Sequence, residues 1–273
     1  MDMGSYLAAV RENTPLVHNI TNYVTVNDCA NILLAAGASP IMADDRDDAP
    51  EITSICNVLN INIGTLNQRT IDTMAVCGQK SKELGHKVVL DPVGAGASTL
   101  RTNTALAILS QVHPDVVRGN VSEIKTLYFG EGSTSGVDAA DIDKVGEKNL
   151  LEAVAFARDF AKKFGCVAAI TGAIDIVSDA DTSIIIRNGD AMMSTVTGTG
   201  CMLSALTAAY IAASDNTLEA TASAVAAMGL SGELAKSRMS ALDGNSSYRN
   251  YLIDAVYNLD AAALASGAKY ETR

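Results

Sequence analysis

The residues Thr197-Gly198-Thr199-Gly200-Cys201 set two glycines, two hydroxyls and a thiol just ahead of a long apolar run. Glycine lets the backbone approach a ligand closely and adopt dihedrals that other residues resist. A helix opening around Met202-Leu203, after a strand end, would aim its unpaired N–H groups and the positive end of its dipole into this loop. That combination is an anion site. A cysteine in such a field is expected to be more acidic than a free thiol, suited to act as a base or a nucleophile. The same residues also suit an ordinary helix start that needs glycine for its turn. Short glycine motifs match by chance, so the loop alone leaves both readings open.

Other reactive side chains recur where apolar runs end. Asp91 follows Val88-Val89-Leu90 and precedes Pro92 and Gly94-Ala95-Gly96. A carboxylate there suits a hydrated Mg²⁺, which takes few protein carboxylates together with phosphate oxygens; it would serve equally as a cap on the next helix. Glu123, in Arg118-Gly119-Asn120-Val121-Ser122-Glu123, falls in the first turn of a helix, where it could face a metal or simply cap. Arg118 could grip phosphate through its planar fork, or be a solvated charge. Thr171-Gly172 could offer a hydroxyl and an N–H to a nucleotide, or form a plain turn. Met42 could line an apolar substrate pocket or fill core.

Cysteine hydrolase chemistry needs a histidine partner, and the chain has His18, His86 and His113. His86 and His113 precede strands, on the edge opposite the proposed site. His18 lies within a strand and reads as a satisfied core residue. Neither a Walker GxxxxGK[ST] sequence nor a GxGxxG after the first strand is present, so ATP use requires another architecture.

These residues need a scaffold, and the pattern supplies one. Short apolar runs at 16–20, 40–42, 58–63, 87–91, 115–118 and 167–171 alternate with helical patterns such as 26–36, 67–84 and 150–163. Runs of this kind, bounded by Gly, Pro and Asn, fit strands of a parallel sheet buried on both faces, with helices on both sides. The runs 174–178 and 182–187 read as an antiparallel hairpin. The final third is nearly all helical, and 129–145, rich in Gly, Ser and Asp, reads as a surface excursion. With no linker or repeat, residues 1–273 read as a single α/β domain, a mostly parallel three-layer sandwich. In open α/β sheets ligands bind beyond the carboxyl ends of the strands. The polar ends at 19–22, 42–45, 64–65, 91–92, 118–120 and 171–172 together mark that edge.

Hydrophobic residues make up 48% of the 273, charged residues 19%, and the net charge is −11. The first two figures argue for a heavily buried globular protein. The third opposes non-specific binding to nucleic acid. The five cysteines form no C-x-x-C pair, which argues against a zinc ribbon or a disulfide framework. Four of them, Cys29, Cys56, Cys77 and Cys166, read as buried thiols. No long uncharged span suggests a membrane segment, and no leader is evident, so a reducing cytoplasm is the expected compartment.

These residues in this order resemble the hydroxyethylthiazole kinases of the ribokinase-like superfamily. The matching stretches are residues 15–24, 27–31, 33–42, 62–66, 89–96, 118–124 and 197–201. A cysteine where the wider superfamily usually carries aspartate is particular to the thiazole kinases. The resemblance implies a ribokinase-like fold and transfer of the ATP γ-phosphoryl group, with Mg²⁺, to the primary alcohol of 4-methyl-5-(2-hydroxyethyl)thiazole. It implies Cys201 as catalytic base and Gly198, Thr199 and Gly200 as the anion hole. Asp91 and Glu123 become metal-linked carboxylates, and Arg118, Asn120 and Thr171 nucleotide contacts. Asn22, Val24, Met42 and Gly198 become the thiazole pocket. It further implies a homotrimer with active sites between subunits. The chain departs from the family at Asp243-Gly244-Asn245-Ser246-Ser247-Tyr248, in an acidic stretch over 43–50, and in a lengthened 129–147. Other kinases of this superfamily, an ADP-forming NAD(P)H-hydrate dehydratase and a non-catalytic nucleotide-binding regulator are the rival functions. Cys201 and the N-terminal motif disfavour the other kinases, and the intact set of site residues disfavours the regulator.

Overall fold

The computed structural model describes residues 1–130 and 145–273; the excursion expected over 129–145, and its lengthening over 129–147, lie largely outside them. Among the described residues the strands are β1 (Leu16–Ile20), β2 (Ser39–Met42), β3 (Val58–Asn62), β4 (Lys87–Asp91), β5 (Val116–Asn120), β6 (Val167–Thr171), β7 (Asp175–Ser178), β8 (Ser183–Ile186) and β9 (Tyr270–Thr272). They form one sheet in the order β2-β1-β3-β4-β5-β6-β7-β8-β9. β1 to β6 run parallel. β7, β8 and β9 are antiparallel additions at one edge.

One face carries α1 (Met3–Asn13), α2 (Val26–Ala36), α8 (Thr199–Ala212), α9 (Thr217–Arg238), α10 (Asn245–Asn258) and α11 (Ala261–Gly267). The other carries α3 (Ala49–Ile55), α4 (Gln68–Glu83), α5 (Thr99–Val112), α6 (Val121–Phe129) and α7 (Leu150–Phe164). Strand side chains alternate between these layers. Val58, Val89 and Val116 face the first; Leu59, Leu90 and Val117 face the second. Burial on both faces is why the strands read as near-continuous apolar runs. α8 and α9 are apolar nearly all round because they lie between the sheet and the outer helices, and their central residues are almost all buried.

The expected hairpin is present as β7 and β8, slightly trimmed at its ends. The final third is nearly all helical, as expected, with β9 added to it: it pairs with β8 antiparallel. Three residues are too few for alternation to register in sequence, and the pairing partner supplies the order.

Candidate active site

α8 begins at Thr199, with Gly198 as its N-cap at φ 96°. The helix therefore opens earlier than the apolar run suggested. A 3₁₀ turn over Ala191–Thr195 precedes it rather than a strand. Cys201 is the third residue of α8. Positive φ alone favours glycine at 198. Space also demands it: a Cβ there would lie 2.5 Å from Thr25 Cγ2. At Gly200 a Cβ would lie 2.7 Å from Arg118 Nη2, so the guanidinium rests against the first turn of α8.

Arg118 points from β5 into this space. Its Nη1 lies 3.2 Å from Asp91 Oδ2, and its Nη2 donates to Thr171 Oγ1 at 2.9 Å. Arg118, Thr171, Thr199 and Gly200 line one cleft of about 690 Å³, together with Asp175, Asn188 and Met193. Three expected nucleotide or anion contacts and a backbone glycine thus converge. Asn120 does not line the cleft. Its side chain accepts from Glu123 N–H at 2.9 Å and caps α6.

Asp91 is wholly buried at the end of β4. Its Oδ2 accepts from Asn62 Nδ2 at 2.9 Å, from Ser204 Oγ at 2.7 Å and from Arg118. Oδ1 has no partner. Burial pushes its pKa up, opposed by Arg118 and by the hydrogen bonds. It caps no helix, since Ser98 caps α5. Glu123 does cap: its Oε2 accepts from Asn120 N–H at 2.9 Å, completing a capping box, and its Oε1 accepts from Gly94 N–H at 2.9 Å. Burial raises its pKa also, and the charge of Asp91 adds to this. Among the described residues no three His, Cys, Asp or Glu cluster as a metal cage. Mg²⁺ does not require one, because it is held by one or two carboxylates, water and substrate phosphates. The orphaned Asp91 oxygen fits that demand.

Cys201 Sγ receives a hydrogen bond from Asn22 Nδ2 at 3.2 Å. The expected acidity of this thiol is overturned. Burial first, then the nearby charge of Asp91, push its pKa up, against donors from Thr25, Asn22 and Asn62. A helix start favours the thiolate, but desolvation beside a carboxylate outweighs it. The other four cysteines are buried and free, as expected. His18 is a core residue as read from sequence, with Nδ1 3.0 Å from Thr53 Oγ1 and Nε2 2.8 Å from the Ala43 carbonyl.

Of the residues expected to form a ring pocket, Asn22 contacts Cys201. Asn22 is buried; Met42 ends β2, half-buried; Val24 is 58% exposed and Tyr23 78% exposed. Sequence reasoning assigned no role to Asn62, Ser204 or Asp175. Asn60 and Asn62, two residues apart in an otherwise apolar strand, were a usable signal, because polar groups are buried only when satisfied.

The fold is that of the ribokinase-like class. Pyridoxal kinase from Staphylococcus aureus in complex with AMP-PCP and pyridoxal shares the fold at TM-score 0.61 and 14% identity, over 95% of this chain and 98% of that one. The chain belongs to the hydroxyethylthiazole kinase family, whose model matches residues 7–262. It is 59% identical to hydroxyethylthiazole kinase from Clostridium acetobutylicum, over 97% of this chain and 98% of the relative. It is 43% identical to hydroxyethylthiazole kinase from Methanocella arvoryzae, over 98% and 97%. The structure of a hydroxyethylthiazole kinase protein from Pyrococcus horikoshii OT3 superposes at TM-score 0.89 with 37% identity, covering 99% of this chain and 98% of that one.

Proposed function

We propose that the chain, folded as a single domain, transfers the γ-phosphoryl group of ATP to the primary alcohol of 4-methyl-5-(2-hydroxyethyl)thiazole, a step of thiamine biosynthesis. The observation that carries this is the shared cleft: Arg118, Thr171, Thr199 and Gly200 line it, and Cys201 follows in the same helical turn. Arg118 and Thr171 bind nucleotide phosphates, with Asn120 shaping the loop beside them. The N–H groups opening α8, from Gly198 through Gly200, hold the transferring charge. Asn22, Val24, Met42 and Gly198 take the thiazole ring. The alcohol oxygen bonds to the γ-phosphorus as the bridging P–O bond to ADP breaks. The alcohol proton passes to Cys201 Sγ.

Asp91 and Glu123 would hold Mg²⁺, which when bound neutralises phosphate charge. Phosphoryl transfer relies mainly on positioning and electrostatics, so a thiolate, a weaker base than an alkoxide, accepts the proton late. The exposed Tyr23 and Val24 support a homotrimer in which a second subunit closes the ring pocket, with Met42 and Cys201 of one site drawn from different chains. No helix among the described residues is long and apolar enough to cross a membrane. Five free cysteines support a cytoplasmic site of action, and the acidic charge argues against nucleic acid as a partner.

The test is incubation with Mg-ATP and the thiazole alcohol, followed by mass spectrometry for thiazole phosphate. Product above a no-enzyme control is expected. Its absence, with ATP binding intact, would overturn the assignment. Mixing inactive Cys201→Ala and Met42→Asp proteins under subunit exchange tests the shared site: recovered activity is expected, and none would mean each chain builds its own.

A further inference from the structure

Two buried amides connect the thiol to the carboxylate. Asn62 and Asp91 end neighbouring parallel strands and are in register, which sets their side chains side by side beneath α8. Asn62 Nδ2 donates to Asp91 Oδ2 at 2.9 Å. Asn62 Oδ1 accepts from Asn22 Nδ2 at 2.9 Å, and the same Asn22 nitrogen donates to Cys201 Sγ at 3.2 Å.

The direction of this chain of bonds is determined at three points. An amide's oxygen and nitrogen ends are distinguished by what they face. Asn22 Oδ1 faces the Thr25 backbone N–H at 3.1 Å, and Asn62 Oδ1 faces the Gly64 N–H at 2.9 Å. Both partners can only donate. The far end of Asn62 faces a carboxylate, a natural acceptor. Turning either amide over would oppose donor to donor inside the protein. The sulfur of Cys201 therefore receives an N–H. The backbone at 64 packs against this pair, since a Cβ there would lie 2.9 Å from Asn22 Nδ2.

An acceptor role for sulfur is what proton removal from an alcohol requires. It also opposes the two influences that disfavour the thiolate, burial and the charge of Asp91. Hydrogen bonds to ionised partners are the stronger ones.

We propose that Asn22 and Asn62 are positioning residues for phosphoryl transfer: a pair of amides, oriented by the Thr25 and Gly64 N–H groups and by Asp91, that keeps an N–H on Cys201 Sγ. The proposal rests on the kinase reading of Cys201. Neither amide gives up or takes an atom; the proton still moves from alcohol to sulfur.

Asn22→Leu, Asn62→Leu and the double variant, all near-isosteric, test it. Each single change should lower kcat by about tenfold or more, the worth of one hydrogen bond to a charged partner. The KM for ATP should stay within about twofold, because neither side chain lines the nucleotide cleft. The double variant should lose less than the product of the two single losses, since Asn62 acts in part through Asn22 and in part on the sulfur itself. Unchanged kcat, or losses that multiply, would overturn the proposal.

A second readout needs neither thiazole nor ATP: the rate at which iodoacetamide labels Cys201 at about pH 8, followed by peptide mass spectrometry. Loss of the donor leaves less thiolate and slows labelling, whereas mere loosening of the packing would speed it. Faster or unchanged labelling counts against the proposal. Should a leucine variant not fold, the smaller and polar Asn22→Ser and Asn62→Ser carry the same comparison. Wild-type protein that makes no thiazole phosphate, while its variants label more slowly, would sink the kinase reading alone.

Discussion

Arg118 holds Asp91 through a 3.2 Å contact in which the carboxylate is wholly buried and the guanidinium nearly so. The pair joins β5 to β4, and Arg118 also lines the cleft beside the first turn of α8. Arg118→Met should leave Asp91 as an uncompensated buried charge and cost about 3 kcal/mol of stability at neutral pH. Urea unfolding would measure this. Nucleotide binding should fall in the same variant, and full retention of both would remove Arg118 from the phosphate role.

Gly200 is constrained by that guanidinium. Gly200→Ala should displace Arg118 and weaken ATP binding by about tenfold, the effect of shifting one charged contact. Gly198→Ala should instead cost about 1–3 kcal/mol through its left-handed backbone and its collision with Thr25. Calorimetry with a non-hydrolysable ATP analogue and a thermal melt separate the two. Equal effects on binding and melting in both variants would count against distinct roles.

Cys201→Ala should keep nucleotide affinity and lose most turnover. Since burial and Asp91 raise the thiol pKa above its usual value, kcat should climb with pH across the neutral range and beyond, as the thiolate forms. That climb should vanish in the alanine variant. A wild-type profile flat with pH would remove Cys201 from the base role.

Asp91→Asn should weaken the dependence of turnover on Mg²⁺. The amide cannot supply the charge that the orphaned Asp91 oxygen offers. A metal titration matching wild type would exclude the residue from that duty.

Asp175 lines the same cleft as Arg118 and accepts from Gly172 N–H at 2.8 Å, and burial pushes its pKa to about 7. A carboxyl raised in the folded state keeps its full contribution to stability below its unfolded value of 3.8 and loses it as pH rises to about 7. Asp175→Asn retains an acceptor for Gly172 but carries no charge. It should therefore gain on the order of 2 kcal/mol over wild type above pH 7, part of the full shift because the group borders an open cleft, and no such gain in acid. Urea titrations at both ends of that window check the sign.

Much of the scaffold was legible because buried parallel strands must be apolar on both faces, and runs such as Val88-Val89-Leu90 state this openly. The strand ends were legible for the complementary reason: Asp91, Arg118 and Thr171 are polar where their strands are not. β9 was not legible, being three residues long and ordered by β8. α8 opens ahead of Met202, through Thr199 and Gly200, whose weak helix propensity hides that start from a local pattern.

Fold class, the polar carboxyl edge of the sheet and the family can all be read from the chain alone. Those follow from local pattern and from residue types at strand ends. How those groups act on one another depends on the folded arrangement. Burial beside Asp91 reversed the expected acidity of Cys201, and the Asn120 side chain caps α6. Strand register set Asn62 against Asp91 and, through Asn22, against the thiol. Desolvation and hydrogen-bond direction depend on neighbours distant in the chain, which no local pattern contains.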